Sequence, residues 1–176
     1  MRAAGFPRSF RRPAVLIAFA AMLPIFGRSA GGPRDLPKPT DYVSDFAHVL
    51  SPGAIKEIDG VCAQLDHSGA DTQIAVVTIA SLDGADIAEY AKNLANAWGV
   101  GSSKSNRGVL VLLAVNDLQW RIAVGYDLES TLSDSKVRSI GEEMIPRLRA
   151  KDFDGAVVLA VREIARAVST EMHAGH

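Results

Sequence analysis

The chain is predicted to fold as an α/β protein, a three-layer α/β/α sandwich around a small mixed sheet of about four strands. Three observations carry that expectation. The run Thr72–Ala80 (TQIAVVTIA) is rich in β-branched residues and mostly apolar, as a strand buried on both faces should be. Two further apolar runs, Val109–Val115 and Gln119–Gly125, flank the short polar turn Asn116–Asp117–Leu118, which is a hairpin signal. Segments with apolar residues at helical period stand before, between and after these strands, which places helices on both faces of the sheet.

Each element has its own local cause. The first thirty residues read as a targeting segment: Arg2, Arg8, Arg11 and Arg12 precede an apolar core, Ala14 to Phe26. That core falls short of the about 20 residues of a membrane span. Cleaved export, to the periplasm or the cell exterior, is the expectation, and a retained N-terminal anchor is the alternative. Residues 31–40, rich in Gly and Pro, form a linker. The folded domain spans 41–170, and 171–176, with His173 and His176, form a short polar tail.

Within the domain, Asp41 to Leu50 enters in irregular or extended form. Ser51 and Pro52 supply an N-cap and a first-turn proline for a helix that runs to about Ser68 and stops at Gly69. Asp86 can cap a second helix, Ile87–Trp98, with Ile87, Tyr90, Ala91, Leu94 and Trp98 on one face. Asp134 can cap a third, Ser135 to about Leu148, which Pro146 should kink or end early. Asp152 opens the last helix, Phe153–Val168. The expected core includes Ile74, Val76, Val77, Leu110, Val111, Leu112, Ile122 and Val124.

Charge and composition exclude several function classes. The chain has 19 basic and 20 acidic residues, and the first thirty hold five arginines and no acid. Removing them leaves 14 basic against 20 acidic residues, a net charge of −6. No basic stripe with interleaved aromatics is present, so nucleic acid is not an expected partner. Gly99–Ser105 superficially resembles a phosphate cradle, but it leaves a helix and enters a strand and lacks the GxxxxGK[ST] spacing, which excludes nucleotide binding there. The single cysteine, Cys62, lies on the apolar face of the first helix and has no disulfide partner in the chain. His48 and His67 stand alone, and no G-x-S-x-G or H-E-x-x-H signature occurs.

The acidic residues are the remaining candidates. Asp45, Asp117, Asp127, Glu129 and Asp134 all fall in loops or at element ends. Calcium takes six to eight oxygen ligands, and sheet-edge loops can supply them. No EF-hand spacing is present. Each carboxylate has a plainer role open to it as well, as a helix cap or a solvated charge, with Asp134 the best cap and Asp117 the best turn residue.

The segments Ser44–Ser51 (SDFAHVLS), Trp98–Gly101 (WGVG) and Asn106–Asp134 resemble a TPM domain over roughly Asp41 to Val168. That family includes a thylakoid-lumen photosystem II repair protein and many exported bacterial proteins. The resemblance implies an accessory or maintenance role for a membrane protein complex, a calcium-binding acidic cleft and, as the alternative, metal-dependent acid phosphatase activity. Carried across, Asp45 matches the aspartate of the family's DFA segment, Glu129 the acid of its GYGLEG loop and Asp134 that of LTD. Asn106–Arg107–Gly108 stands where the family commonly has DNG, and Asp127 replaces a glycine of the GYGLEG loop. The resemblance thus gives a ligand set of Asp45, Asn106, Asp127, Glu129 and Asp134 for calcium or another divalent cation. Arg107 would be placed to hold a phosphate oxygen, for which its planar donor fork is suited.

Overall fold

A computed structural model describes residues 36–69, 71–101 and 105–174. The targeting segment, the first half of the linker and Ser102–Lys104 lie outside the described residues. The element order is β1 (Val43–Asp45), α1 (Pro52–His67), β2 (Gln73–Ile79), α2 (Ile87–Trp98), β3 (Gly108–Ala114), β4 (Gln119–Val124), a 3-10 turn (Tyr126–Leu128), α3 (Asp134–Arg149) and α4 (Phe153–Ala174). The sheet order is β1-β2-β3-β4, with the first three strands parallel and β4 antiparallel to β3. The mixed α/β architecture is the one the sequence predicts.

Alternation along β2 and β3 separates two cores. Ile74, Val76, Val109, Val111 and Leu113 point to one face, where they pack with residues of α1, α3 and α4. Ala75, Val77, Leu110, Leu112 and Ala114 point to the other, which α2 covers with Ala91 and Leu94. The crossovers β1-α1-β2 and β2-α2-β3 step the same way across the sheet on opposite faces. They therefore have opposite hands, and one departs from the usual right-handed rule. Of the expected core, Val124 is only half-buried, while the other seven residues are fully buried. Val124 lies on the edge strand, which among the described residues has a neighbouring strand on one side only.

Local signals placed the helix starts well. Ser51 accepts from Ala54 N with Pro52 at the first turn, and Asp86 accepts from Glu89 N. Three expectations need correction. Ser133, not Asp134, caps α3: its hydroxyl accepts from Lys136 N, and Asp134 occupies the first helical position. Pro146 does not end α3, which continues to Arg149. A proline in the last turn removes a single intrahelical bond close to where bonding stops anyway. Finally, α4 runs past Val168 to Ala174, so Glu171, Met172 and His173 are helical rather than part of a loose tail. No described helix is long and apolar enough to cross a membrane.

Candidate functional site

The five expected ligand residues do not meet. Asp45 stands at the carboxyl end of β1, in register with Thr78, which pairs in turn with Leu113 and so with Trp120. Asn106 precedes the amino end of β3, where Gly108 pairs with Gln73. Five residue steps separate the two rows, about 16 Å along the strands, and Asp45 is also three strands away from the exit of β4. Ligands of one calcium ion lie within about 2.6 Å of it. Asp45 therefore cannot share an ion with Glu129 or Asp134.

At its own end Asp45 has a structural task. Its carboxylate accepts from Val49 N at 3.2 Å and Leu50 N at 3.0 Å, and from the buried Thr78 hydroxyl. The Thr78 hydroxyl also accepts from Ala47 N at 3.2 Å. The turn this locks is tight, with His48 in the left-handed region at φ 54°. Asp117, at the same end of the sheet, accepts from Leu82 N at 2.7 Å and from the Ser81 hydroxyl at 3.3 Å. Both aspartates hold loops.

Asn106, Asp127, Glu129 and Asp134 gather at the opposite end, all exposed. Asn106 has φ 45°, a left-handed conformation that asparagine tolerates better than most residues. Its backbone lies against Gly125, where a side-chain carbon would collide with the Asn106 carbonyl oxygen. Glu129 and Asp134 line a groove of about 960 Å³ together with Trp120, Arg121, Val137 and Arg138. The indole of Trp120 forms part of its wall and lies directly over Gly141 of α3, in space that any side chain at Gly141 would fill.

Arg107 is the hub of this end. It donates to the Thr72 hydroxyl at 3.3 Å, to the Asp127 carbonyl at 3.4 Å and to the Glu171 carboxylate at 2.8 Å. It thereby ties the loop before β3 to the 3-10 turn and to the last turns of α4. The Arg107 guanidinium beside Glu171 holds that carboxyl below the usual carboxylate range; burial works the other way, and a Thr131 hydrogen bond adds to the lowering. A depressed carboxyl contributes stability that is present above its unfolded pKa and is lost as pH falls through its folded one. Glu171→Gln is accordingly expected to lower the melting temperature at neutral pH. The gap from the unmodified chain should close as pH drops through the carboxylate range, which a melting series in acidic buffers would measure.

The donor set does not fit a dedicated calcium cage. Glu129 and Asp134 bring carboxylates to one groove, but Arg121 and Arg138 line it too and disfavour a cation there. Among the described residues, no group of three or more His, Cys, Asp or Glu side chains is placed to hold a metal ion. Cys62 is fully buried, and burial, with Asp59 and Asp66 nearby, pushes its thiol up to about 12, which makes it an inert core residue.

Sequence reasoning missed Thr78, Glu171 and Trp120. A signal for the first was present: a hydroxyl inside a strand buried on both faces needs a partner. Glu171 was hidden by ending α4 too early.

Comparison with known proteins places the fold. The TPM domain model (TPM_phosphatase) matches residues 43–167. The chain is 28% identical over 126 residues to the UPF0603 protein YdjH of Bacillus subtilis (strain 168), covering 72% of this chain and 46% of that protein. It therefore spans about half the length of that relative. The N-terminal domain of a P. gingivalis protein superposes with a TM-score of 0.70 at 27% identity, over 76% of this chain and 85% of that one. The BA42 protein of Bizionia argentinensis shares the fold, with a TM-score of 0.59 at 16% identity over 69% of this chain and 82% of its own. With a family match across most of its length and the same fold in these relatives, the chain belongs to the TPM domain family.

Proposed function

We propose that this chain is a non-catalytic binding module, exported from the cytoplasm, that helps assemble or maintain a membrane protein complex. One observation carries the non-catalytic part of this reading. Two charged residues that the phosphatase reading uses, Asp45 as a ligand and Arg107 as a phosphate clamp, are engaged in holding loops together at opposite ends of the sheet. Metal-assisted attack of water needs an ion beside the phosphoryl oxygens, with an open coordination position. Here the carboxylates of one groove face two arginines instead. The basic n-region and apolar core at the start of the chain support export, and the family's photosystem repair member supports a role at a membrane complex.

Metal-dependent acid phosphatase activity is the second reading, favoured by the name of the matching family model. One set of measurements on residues 31–176, which form one compact unit, separates the two. The binding-module reading expects no turnover of p-nitrophenyl phosphate at mildly acidic pH with excess calcium or magnesium. It also expects a flat melting temperature across millimolar calcium, whereas a true site held at 100 times Kd would add about 2.7 kcal/mol. Metal-dependent turnover abolished by Glu129→Gln, together with a calcium-induced rise lost in the same variant, would reverse the ranking.

A further inference from the structure

β4 is an edge strand, and among the described residues its outer side pairs with no other strand. Gly125 N donates to Gly108 O at 2.7 Å, so these two form a hydrogen-bonded antiparallel pair. By alternation the next bonded pairs are Ala123 with Leu110, Arg121 with Leu112 and Gln119 with Ala114. Trp120, Ile122 and Val124 must then turn their N–H and C=O groups outward, and among the described residues nothing bonds them. Edge strands in natural proteins are usually blunted by proline, a bulge or an inward-facing charge. The six residues of β4 (QWRIAV) hold no proline and pair with β3 without a bulge, and Arg121 is the single charge among them. The 960 Å³ groove runs along this same edge, lined by Trp120, Arg121, Ile122 and Val124 on one side and the first turns of α3 on the other. A facing strand would enter it.

The residues around β4 also say which strand fits. The large hydrophobic residues left exposed among the described ones are Leu118, 63% exposed, and Tyr126, 76% exposed. Both flank β4, each four positions from Ile122. Leu118 holds a left-handed turn position, φ 51°, where asparagine or glycine would be the ordinary choice. We propose that β4 pairs antiparallel with β4 of a second copy of this chain about a two-fold axis at Ile122, joining the two sheets into one of eight strands.

In that register Trp120 pairs with Val124 of the second copy and Ile122 with its own equivalent, so every outward N–H and C=O finds a partner. Leu118 of each copy comes beside Tyr126 of the other, which covers both exposed side chains at once. Arg121 falls opposite Ala123, a small neutral residue. Centring the axis on Arg121 would set two guanidinium groups face to face, which like-charge repulsion disfavours. Centring it on Ala123 would leave Leu118 without Tyr126. A two-fold contact needs a self-complementary patch, and Leu118–Tyr126 is one.

The test uses the full chain. Arg121 and Ala123 of the second copy form a non-hydrogen-bonded pair with Cα atoms about 4.5 Å apart, within the range a disulfide spans. Differently tagged Arg121→Cys and Ala123→Cys chains, produced together and mildly oxidised, are expected to give a heterotypic linked dimer. Neither variant alone should give one, and buried Cys62 does not compete. Sedimentation velocity of the unmodified chain should show twice the chain mass at high micromolar concentration. Tyr126→Lys should restore the monomer, and at a dilution where the unmodified chain is itself monomeric the two should melt together, because that side chain is exposed within one chain. A chain that stays monomeric at every concentration and gives no heterotypic link would overturn the proposal, even if it bound an extended peptide at this edge. Homotypic linkage as strong as the heterotypic one would overturn the register.

Discussion

Gly108→Ala is expected to destabilise the domain by about 3 kcal/mol, the upper part of the range for overpacked positions, and to lower the melting temperature by roughly 10 °C. A side-chain carbon at Gly108 would collide with the Val100 carbonyl oxygen and lie 2.5 Å from the Val100 carbonyl carbon and 2.7 Å from Gly101 N. These are backbone atoms and cannot swing aside as a flexible side chain would. Gly101, at φ 84°, meets Gly108 from the other side, and Gly125 meets Asn106 and Gly108. Three glycines thus let three chain segments cross where the loop to β3 passes the end of β4, and this crossing fixes where Asn106 and the groove mouth sit. Gly60→Ala is the control. It lies on the exposed side of α1 with no atom near the added carbon, and should gain about 0.5–1 kcal/mol from helix propensity alone. Thermal or urea melts of the two variants would separate collision from propensity. A Gly108→Ala chain as stable as the original would mean that the crossing is loosely packed.

The contrast between those two glycines shows what was legible in the sequence. Regular elements follow from local signals. The Ser51–Pro52 start, the Asp86 cap and the apolar run of β2 each act over a few residues, and each element was placed within a residue or two. β1 was less legible because three residues carry no periodicity, and its strand character comes from pairing with β2. The C-terminal turns of α4 escaped because Ser169, Thr170 and Glu171 look polar. What holds them is the distant Arg107, 64 positions away in sequence. The candidate site was least legible of all. A shared preference of acidic residues for loops put five of them on one list, but loops occur at both ends of a sheet. Which end a residue reaches depends on strand direction and length. Asp45 leaves a parallel strand at its carboxyl end, while Glu129 follows an antiparallel strand that returns to the other end.

Asp45→Ala is expected to cost about 3 kcal/mol, because the hydrogen bonds lost are made to a charged acceptor and leave donors without one. The Val49 and Leu50 N–H groups and the Thr78 hydroxyl would all lose their acceptor, and water can reach only part of this half-buried turn. Thr78→Val should be costly too, since Ala47 N also depends on that hydroxyl. The double variant should lose distinctly less than the sum of the two, because residues in one network share their interaction energy. Asp45→Asn keeps an oxygen for one donor but turns an amide toward the others, so it should fall between the original and Asp45→Ala. The sign of the stability change is the useful part. A carboxylate kept for metal or substrate chemistry is commonly held at a cost to the fold, and its removal tends to leave stability unchanged or improve it. A large loss on Asp45→Ala, coupled to Thr78, therefore assigns this aspartate to the turn between β1 and α1. An equally stable Asp45→Ala chain would instead return Asp45 to the list of functional carboxylates, at the opposite end of the sheet from Glu129 and Asp134.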